Sequence, residues 1–291
     1  MKLLTGASGF VGTHLLKALI HEYGHQNVVA LTSKPIADAN YILHNNYQLD
    51  DNKSDFSKVT TIIHGGAFTP KSGKEADDLI KSNSNIYNTE KLLSCNFPSL
   101  KKIVYLSTLD VYDVADVITE DTATNPASLY GASKLYCERM ITSWANSKNL
   151  ESVILRIGHV YGPGEEAYQK IIPVAFQKVL HNQHLQIFGP GTEFRSFIYI
   201  ADVVTAIVKS LTLATDVGVI NIVGGTKISI NNLLHKILEI TNSTLAIDHI
   251  ETTNAGRDLI FDNSKLLKYL LAKEIALDEG LKLEWDYLSK L

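Results

Sequence analysis

Cysteine is scarce in this 291-residue chain: Cys95 and Cys137 are the only two. That is too few for a disulfide framework, so packing must hold the fold. The sequence contains no run of about 18 apolar residues, which excludes a membrane-spanning helix. The start, MKLLTGASGF, breaks its apolar stretch at Thr5 and Gly6 before a signal-peptide core could form. Lysine and arginine make no long run, and a net charge of -4 argues against a nucleic-acid surface. The expectation is a cytoplasmic globular protein with no membrane and no nucleic-acid partner. Apolar material is plentiful: 45% hydrophobic against 20% charged residues suffices for one large core or two unequal ones.

Strand-like apolar runs occur at Lys2 to Thr5, Asn27 to Thr32, Thr60 to His64, Lys102 to Ser107 and Ser152 to Val160. Between them lie helical periodicities at Val11 to Glu22, Glu75 to Ser94 and Ser128 to Ala145, with Gly24 and Pro98 as stops. This β-α-β rhythm predicts an α/β fold with a parallel sheet. From Gly162 the elements shorten and glycine and proline become frequent, which reads as a smaller lobe interleaved with the first. The expected division is 1–164 with 196–224 for the larger domain, and 165–195 with 225–291 for the smaller. Phe197 to Leu211 and Gly218 to Val223 are expected to return to the sheet.

TGASGFVG, Thr5 to Gly12, follows the first strand and opens the first helix, the context a dinucleotide-binding glycine loop needs. Glycines at 6, 9 and 12 permit a tight turn and a close approach of backbone to pyrophosphate, and the helix N-terminus offers amides and positive dipole. HEYGH, His21 to His25, matches a zinc-ligand spacing, but such ligands must share a continuous helix and Gly24 falls where this one should end. No metal site is expected.

A tyrosine followed four residues later by a lysine places a phenol and an ammonium on one helix face, where the positive charge favours phenolate. The pattern occurs at Tyr87 with Lys91, Tyr130 with Lys134 and Tyr269 with Lys273. Only the Tyr130 copy follows a strand that ends in hydroxyl residues, Ser107 and Thr108, and so can bring hydroxyl and phenol to one mouth of the sheet.

TGASGFVG, SLYGASK around Tyr130 and Lys134, LRIGHVYGPG at Leu155 to Gly164, and FRSFIYIADV at Phe194 to Val203 together resemble the extended short-chain dehydrogenase/reductase family of nucleotide-sugar epimerases, dehydratases and ketoreductases. The resemblance implies a Rossmann-like doubly wound sheet carrying the cofactor, a smaller C-terminal lobe for a sugar nucleotide, and a homodimer. It implies that Tyr130 exchanges the proton of a sugar hydroxyl, that Lys134 lowers the tyrosine's pKa and bonds the nicotinamide ribose, and that Thr108 orients the sugar oxygen. Gly6, Gly9 and Gly12 would carry the pyrophosphate, with Ser8, Phe10 and Val11 in the same loop. Gly65, Gly66 and Ala67 would form a backbone turn past the adenosine side, and Arg195 would grip the nucleotide diphosphate.

The departures from that family speak to the reaction. Family dehydratases carry Asp then Glu after the threonine, where this chain has Leu109 and Asp110. Without the first carboxylate there is no general acid to expel a C6 hydroxyl, so dehydration is disfavoured, and Asp110 is left as a substrate contact. His159 stands at the family's frequent asparagine. Gln48, before Leu49, stands at the acid that usually holds adenine, with Asp50 the alternative. Arg257 is an offset candidate for a second phosphate ligand.

Where NAD enzymes commonly place a carboxylate to accept both ribose hydroxyls, this chain has Thr32, followed by Ser33 and Lys34. Two hydroxyls and a positive charge would welcome a 2'-phosphate, which favours NADP over NAD and hence a ketoreductase acting on a nucleotide-linked 4-keto-6-deoxy sugar. A nucleotide-sugar 4-epimerase using NAD is the alternative, and a catalytically silent dinucleotide-binding regulator is a third reading from another class.

Overall fold

A computed structural model describes residues 1–48, 56–213, 217–252 and 256–291. The chain divides into two units, the first formed by Met1–Asp113, Ala123–Ile157 and Val204–Ile220, the second by Val114–Thr122, Gly158–Val203 and Asn221–Leu291.

The first unit runs β1 (Lys2–Thr5), α1 (Phe10–Tyr23), β2 (Val28–Thr32), β3 (Tyr41–Leu43), β4 (Thr61–His64), α2 (Leu79–Ser94), β5 (Lys102–Thr108), α3 (Leu129–Ser147) and β6 (Glu151–Ile157). The strands lie in the order β6-β5-β4-β1-β2-β3, each neighbouring pair parallel, with the short strand Ile220–Ile222 beyond β6. The expected parallel sheet is therefore present. Every residue of β2, β4 and β5 is buried, as continuous apolar runs require when a parallel sheet is covered on both faces. Leu3, Ile62, Ile103 and Ile141 are fully buried in one core with Leu92 and Cys137, and each such aliphatic side chain stabilises the fold by about 1.5–3 kcal/mol.

Local chemistry sets the helix ends. Asp78 caps α2 by accepting from the Lys81 amide at 3.0 Å, so the helix expected from Glu75 begins at Leu79 after a 3-10 turn at Gly73–Asp77. Gly24 ends α1 at φ 82°, leaving His21 inside the helix and His25 beyond it, so the two histidines do not share one continuous helix.

The second unit holds β7 (His159–Tyr161), α4 (Ile171–Leu180), β8 (Leu185–Phe188) and β9 (Phe194–Tyr199), followed by α5 (Ile200–Ser210) and β10 (Ile220–Ile222), which each cross a unit boundary. It continues with β11 (Lys227–Ser229), α6 (Ile230–Ile240), β12 (Ile247–Ile250), α7 (Ser264–Tyr269) and α8 (Leu277–Leu288). β11, β9 and β7 form one small sheet, β12 and β8 another. Two sequence expectations change here. The run Ser152 to Val160 breaks at Gly158 into β6 and β7, which pair in different sheets. Phe197 to Leu211 is the end of a strand followed by a helix, because IADVVTAIVKS carries its apolar residues at helical spacing. No helix among the described residues is long and apolar enough to cross a membrane.

Candidate active site

The site in the first unit begins where β1 and β4 end side by side, Thr5 opposite His64. Gly6 leaves β1 at φ +75°, and a Cβ there would stand 2.6 Å from the Gly65 carbonyl oxygen. A Cβ on Gly12 would lie 1.9 Å from the Gly6 oxygen, so the first turn of α1 can meet the loop only through glycine. Gly9 is the N-cap of α1 and no side chain caps that end, which leaves the helix terminus to an anion. Ser8 is exposed, and Phe10 and Val11 open the helix. This cradle fits the pyrophosphate of a dinucleotide.

The neighbouring turn, Gly65 to Ala67, is fixed from below. The Gly66 amide donates to Thr5 Oγ1 at 2.8 Å, and the buried Tyr47 hydroxyl donates to the Gly66 oxygen at 3.3 Å. Burial pushes the Tyr47 phenol up to about 12, so it remains a donor. Thr5 Oγ1 also lies 2.7 Å from His64 Nδ1, whose other ring nitrogen is 3.0 Å from Thr89 Oγ1. Burial, and then the charge of Lys134, push the imidazole down to about 3, so His64 is neutral. Thr89 passes the chain to the Asn85 carbonyl at 2.7 Å. The Asn85 side chain accepts from the Phe68 amide at 2.7 Å and donates to Ser133 Oγ at 3.1 Å, and Ser133 donates to the Tyr130 carbonyl at 2.7 Å. A buried polar chain thus joins the glycine loop to the helix that carries Tyr130.

The loop after β2 differs from its expected role. Thr32 is buried and its hydroxyl is engaged in its own turn, donating to the Lys34 carbonyl at 3.0 Å and accepting from the Lys34 amide at 3.3 Å. Ser33 and Lys34 are exposed. In this turn the Thr32 hydroxyl is bonded to Lys34, while the Ser33 and Lys34 side chains face solvent. Gln48 is exposed and its amide donates to the Asn45 carbonyl at 2.8 Å, while Leu49 and Asp50 lie outside the described residues.

At the end of β5, Thr108 caps a tight turn over Leu109–Val111: its hydroxyl accepts from the Asp110 amide at 3.2 Å and donates to the Asp110 carboxylate at 3.3 Å. Leu109 is buried and Asp110 exposed. Ser128 caps α3 through the Gly131 amide at 3.1 Å. A Cβ on Gly131 would lie 2.4 Å from the Asp110 carbonyl oxygen, so a glycine in the first turn of α3 lets the helix pack onto the turn that carries Thr108. Tyr130 is 6% exposed against 49% for Tyr87 and 38% for Tyr269, so one of the three tyrosine–lysine pairs is built into the interior. Lys134 is buried too, donating to the Leu106 carbonyl at 2.6 Å, with burial lowering its pKa to about 8. One turn on, Glu138 receives the buried Arg156 at both oxygens, 3.0 and 2.8 Å, and also accepts from Ser107.

In the second unit Arg195 lies on β9 and donates to the Phe194 and Arg257 carbonyls at 2.8 and 2.6 Å. Arg257 is exposed and meets Arg195 through its backbone. His159 packs against Phe197, and its buried Nδ1 has no hydrogen-bond partner. Burial, and then Arg195, push this imidazole down to about 4. Among the described residues no cluster of three metal-ligating side chains occurs. Asn85, Ser133, Gly131 and Tyr47 were not foreseen from the sequence, although Gly131 and Ser133 both lie inside a recognised motif, SLYGASK.

The comparisons agree with this geometry. An uncharacterized UDP-glucose epimerase of Bacillus subtilis is 30% identical over 99% of this chain and 98% of its own length. A dTDP-D-glucose 4,6-dehydratase of Dictyostelium discoideum is 28% identical over 79% of this chain, which spans 59% of that longer protein. The crystal structure of UDP-glucuronic acid 4-epimerase from Bacillus cereus in complex with NAD superposes with a TM-score of 0.83 at 27% identity, covering 100% of this chain and 97% of that one. The profile of the NAD dependent epimerase/dehydratase family matches residues 2–223, and the chain belongs to that family.

Proposed function

We propose that this protein is an NAD-dependent nucleotide-sugar 4-epimerase. The observation that carries the reading is the turn Thr108–Leu109–Asp110 packed against the first turn of the Tyr130 helix. It keeps the hydroxyl that can orient a sugar oxygen, and puts a buried leucine where elimination would need an acid. The match to an NAD dependent family and the likeness to a 4-epimerase solved with NAD favour NAD over NADP, and so an epimerase over the ketoreductase that the sequence favoured. Two relatives covered almost end to end bear 4-epimerase or UDP-glucose epimerase names.

The glycine loop with Ser8, Phe10 and Val11, the turn Gly65 to Ala67, and Lys134 would hold NAD, which when bound would supply hydride acceptance and return at C4. Tyr130 removes the proton from the C4 hydroxyl as the carbonyl forms and gives it back after the sugar has presented its other face. The Lys134 ammonium, one helical turn away, favours the phenolate required for the first transfer. Thr108 donates to the same sugar oxygen, and Arg195 pairs with the diphosphate. Asp110, His159 and Arg257 are proposed as further substrate contacts. The purified protein, supplied with NAD and in turn UDP-glucose, UDP-glucuronic acid and dTDP-glucose, should yield a C4-inverted product by NMR with no net change in reduced nicotinamide. Stoichiometric NADPH oxidation by a 4-keto sugar, without epimerisation, would overturn the proposal. Tyr130→Phe should lower kcat by about 10²–10⁴-fold while the protein stays folded.

A further inference from the structure

Lys134 is an ammonium in the interior of the first unit, and among the described residues no carboxylate forms an ion pair with it. Its nearest acid on the same helix face, Glu138, is occupied by Arg156 and Ser107. Burial disfavours the charged form, yet Tyr130 needs that charge close by. Two groups meet the ammonium. One is the Leu106 carbonyl at 2.6 Å, and the other is the ring of Tyr105, whose centroid lies 4.3 Å from Nζ. A ring face at that distance attracts a cation electrostatically, and more strongly in a desolvated site.

Tyr105 itself is 1% exposed, its ring tilted against His64 at 5.4 Å, and its hydroxyl finds no nitrogen or oxygen partner, with the Cys137 thiol beside it. A buried hydroxyl left unpaired costs stability, so the ring face is what the position contributes. The titratable groups around the ammonium are His64 from β4, Tyr105 from β5, and Tyr130, Cys137 and Glu138 from α3. From α2 come only the uncharged Asn85 and Thr89, which bond to Ser133 and His64. His64 is neutral, and Cys137 and Glu138 favour the charged form through space, while the ring and the Leu106 carbonyl are the groups in direct contact with the ammonium.

We propose that Tyr105 is a positioning residue for proton transfer: its ring face keeps the Lys134 ammonium charged and in place, and thereby sets the pH at which Tyr130 ionises. The inference rests on the epimerase reading only in taking Tyr130 as the proton carrier.

The test compares Tyr105→Phe, which keeps the ring, with Tyr105→Leu, which removes it. Tyr130 ionisation is read from tyrosinate absorbance as the difference between each protein and its own Tyr130→Phe derivative, with neither cofactor nor substrate present. Tyr105→Phe should leave the Tyr130 pKa in place, and Tyr105→Leu should raise it by about one unit. Equal shifts in both variants, or no shift in either, would overturn the proposal. The wild-type protein gives a second reading that needs no core substitution. The Lys134 ε-methylene protons, assigned by their loss in Lys134→Arg, should be displaced upfield by the ring, and undisplaced signals would overturn the proposal equally. If Tyr105→Leu moves the Tyr130 ionisation while no nucleotide sugar is epimerised, the epimerase reading alone fails.

Discussion

In the first unit His64 is met at both ring nitrogens by threonine hydroxyls, and Glu138 receives Arg156 at both oxygens. In the second, neither carboxylate oxygen of the fully buried Glu284 has a hydrogen-bond partner, and Glu165 lacks one at Oε2. The two units solve the same problem differently. Pairing satisfies the buried polar groups of the first unit, as Arg156 does both oxygens of Glu138, and so fixes the residues behind Tyr130 and Lys134. In the second unit two acids are instead shifted toward the neutral form: burial, and then Glu284, push the Glu165 carboxyl up to about 8, and burial, and then Glu166, push Glu284 up to about 7.

The sharpest way to break this comparison is to remove one partner in the first unit. Glu138→Ala leaves Arg156 buried and unpaired and should cost about 3–5 kcal/mol in urea unfolding. A loss near zero would show that the pair holds nothing. Asn85→Ala strips the partner from the Phe68 amide and should cost about 1–3 kcal/mol by the same measurement.

The second unit should respond to pH instead. A folded pKa raised above the unfolded value, 4.5, means that the folded chain holds protons the unfolded chain has released. The stability from Glu165 and Glu284 is therefore full below about pH 4.5 and declines as pH rises through about 7 and 8, by about 1.4 kcal/mol per pH unit for each group in between. Glu284→Gln cannot ionise and should flatten this decline, leaving the variant at least as stable as the parent above pH 8 in unfolding curves taken across pH. Parallel pH profiles for the two proteins would contradict the assignment.

The smallest effect is expected at Lys34, exposed beside a threonine already committed to its own turn. Lys34→Ala should change the ratio of NADP to NAD dissociation constants by at most about fivefold, the scale of an exposed charge, as read by titration calorimetry. A larger change would restore the loop as a phosphate site.

The paired framework of the first unit was largely legible in the sequence. Lys2–Thr5 is a strand at the expected bounds, the glycine loop follows it, and burial singles out Tyr130 with Lys134 from three copies of one pattern. What escaped is what only folding brings together. Tyr47 reaches Gly66 from 19 residues away, at a positive φ that nothing in the sequence announces. Tyr105 reads as one more apolar residue of a buried strand until Lys134 is seen over its ring. Gly158 sat inside a run that reads as one strand, yet it separates two strands that pair in different sheets. The β-branched residues of α5 suit a strand as readily as a helix by composition, and the helical spacing of its apolar residues is the signal that separates the two. The turn in which Thr32 bonds Lys34 is likewise something only folding shows.

The central claim, that the first unit carries out reversible chemistry at C4 with NAD retained, is tested most directly with a nucleotide sugar deuterated at C4. The account predicts a C4-inverted product that keeps its deuterium, formed without net change in reduced nicotinamide. Deuterium lost from C4, or appearing there only from labelled NADPH added in stoichiometric amount, would contradict it.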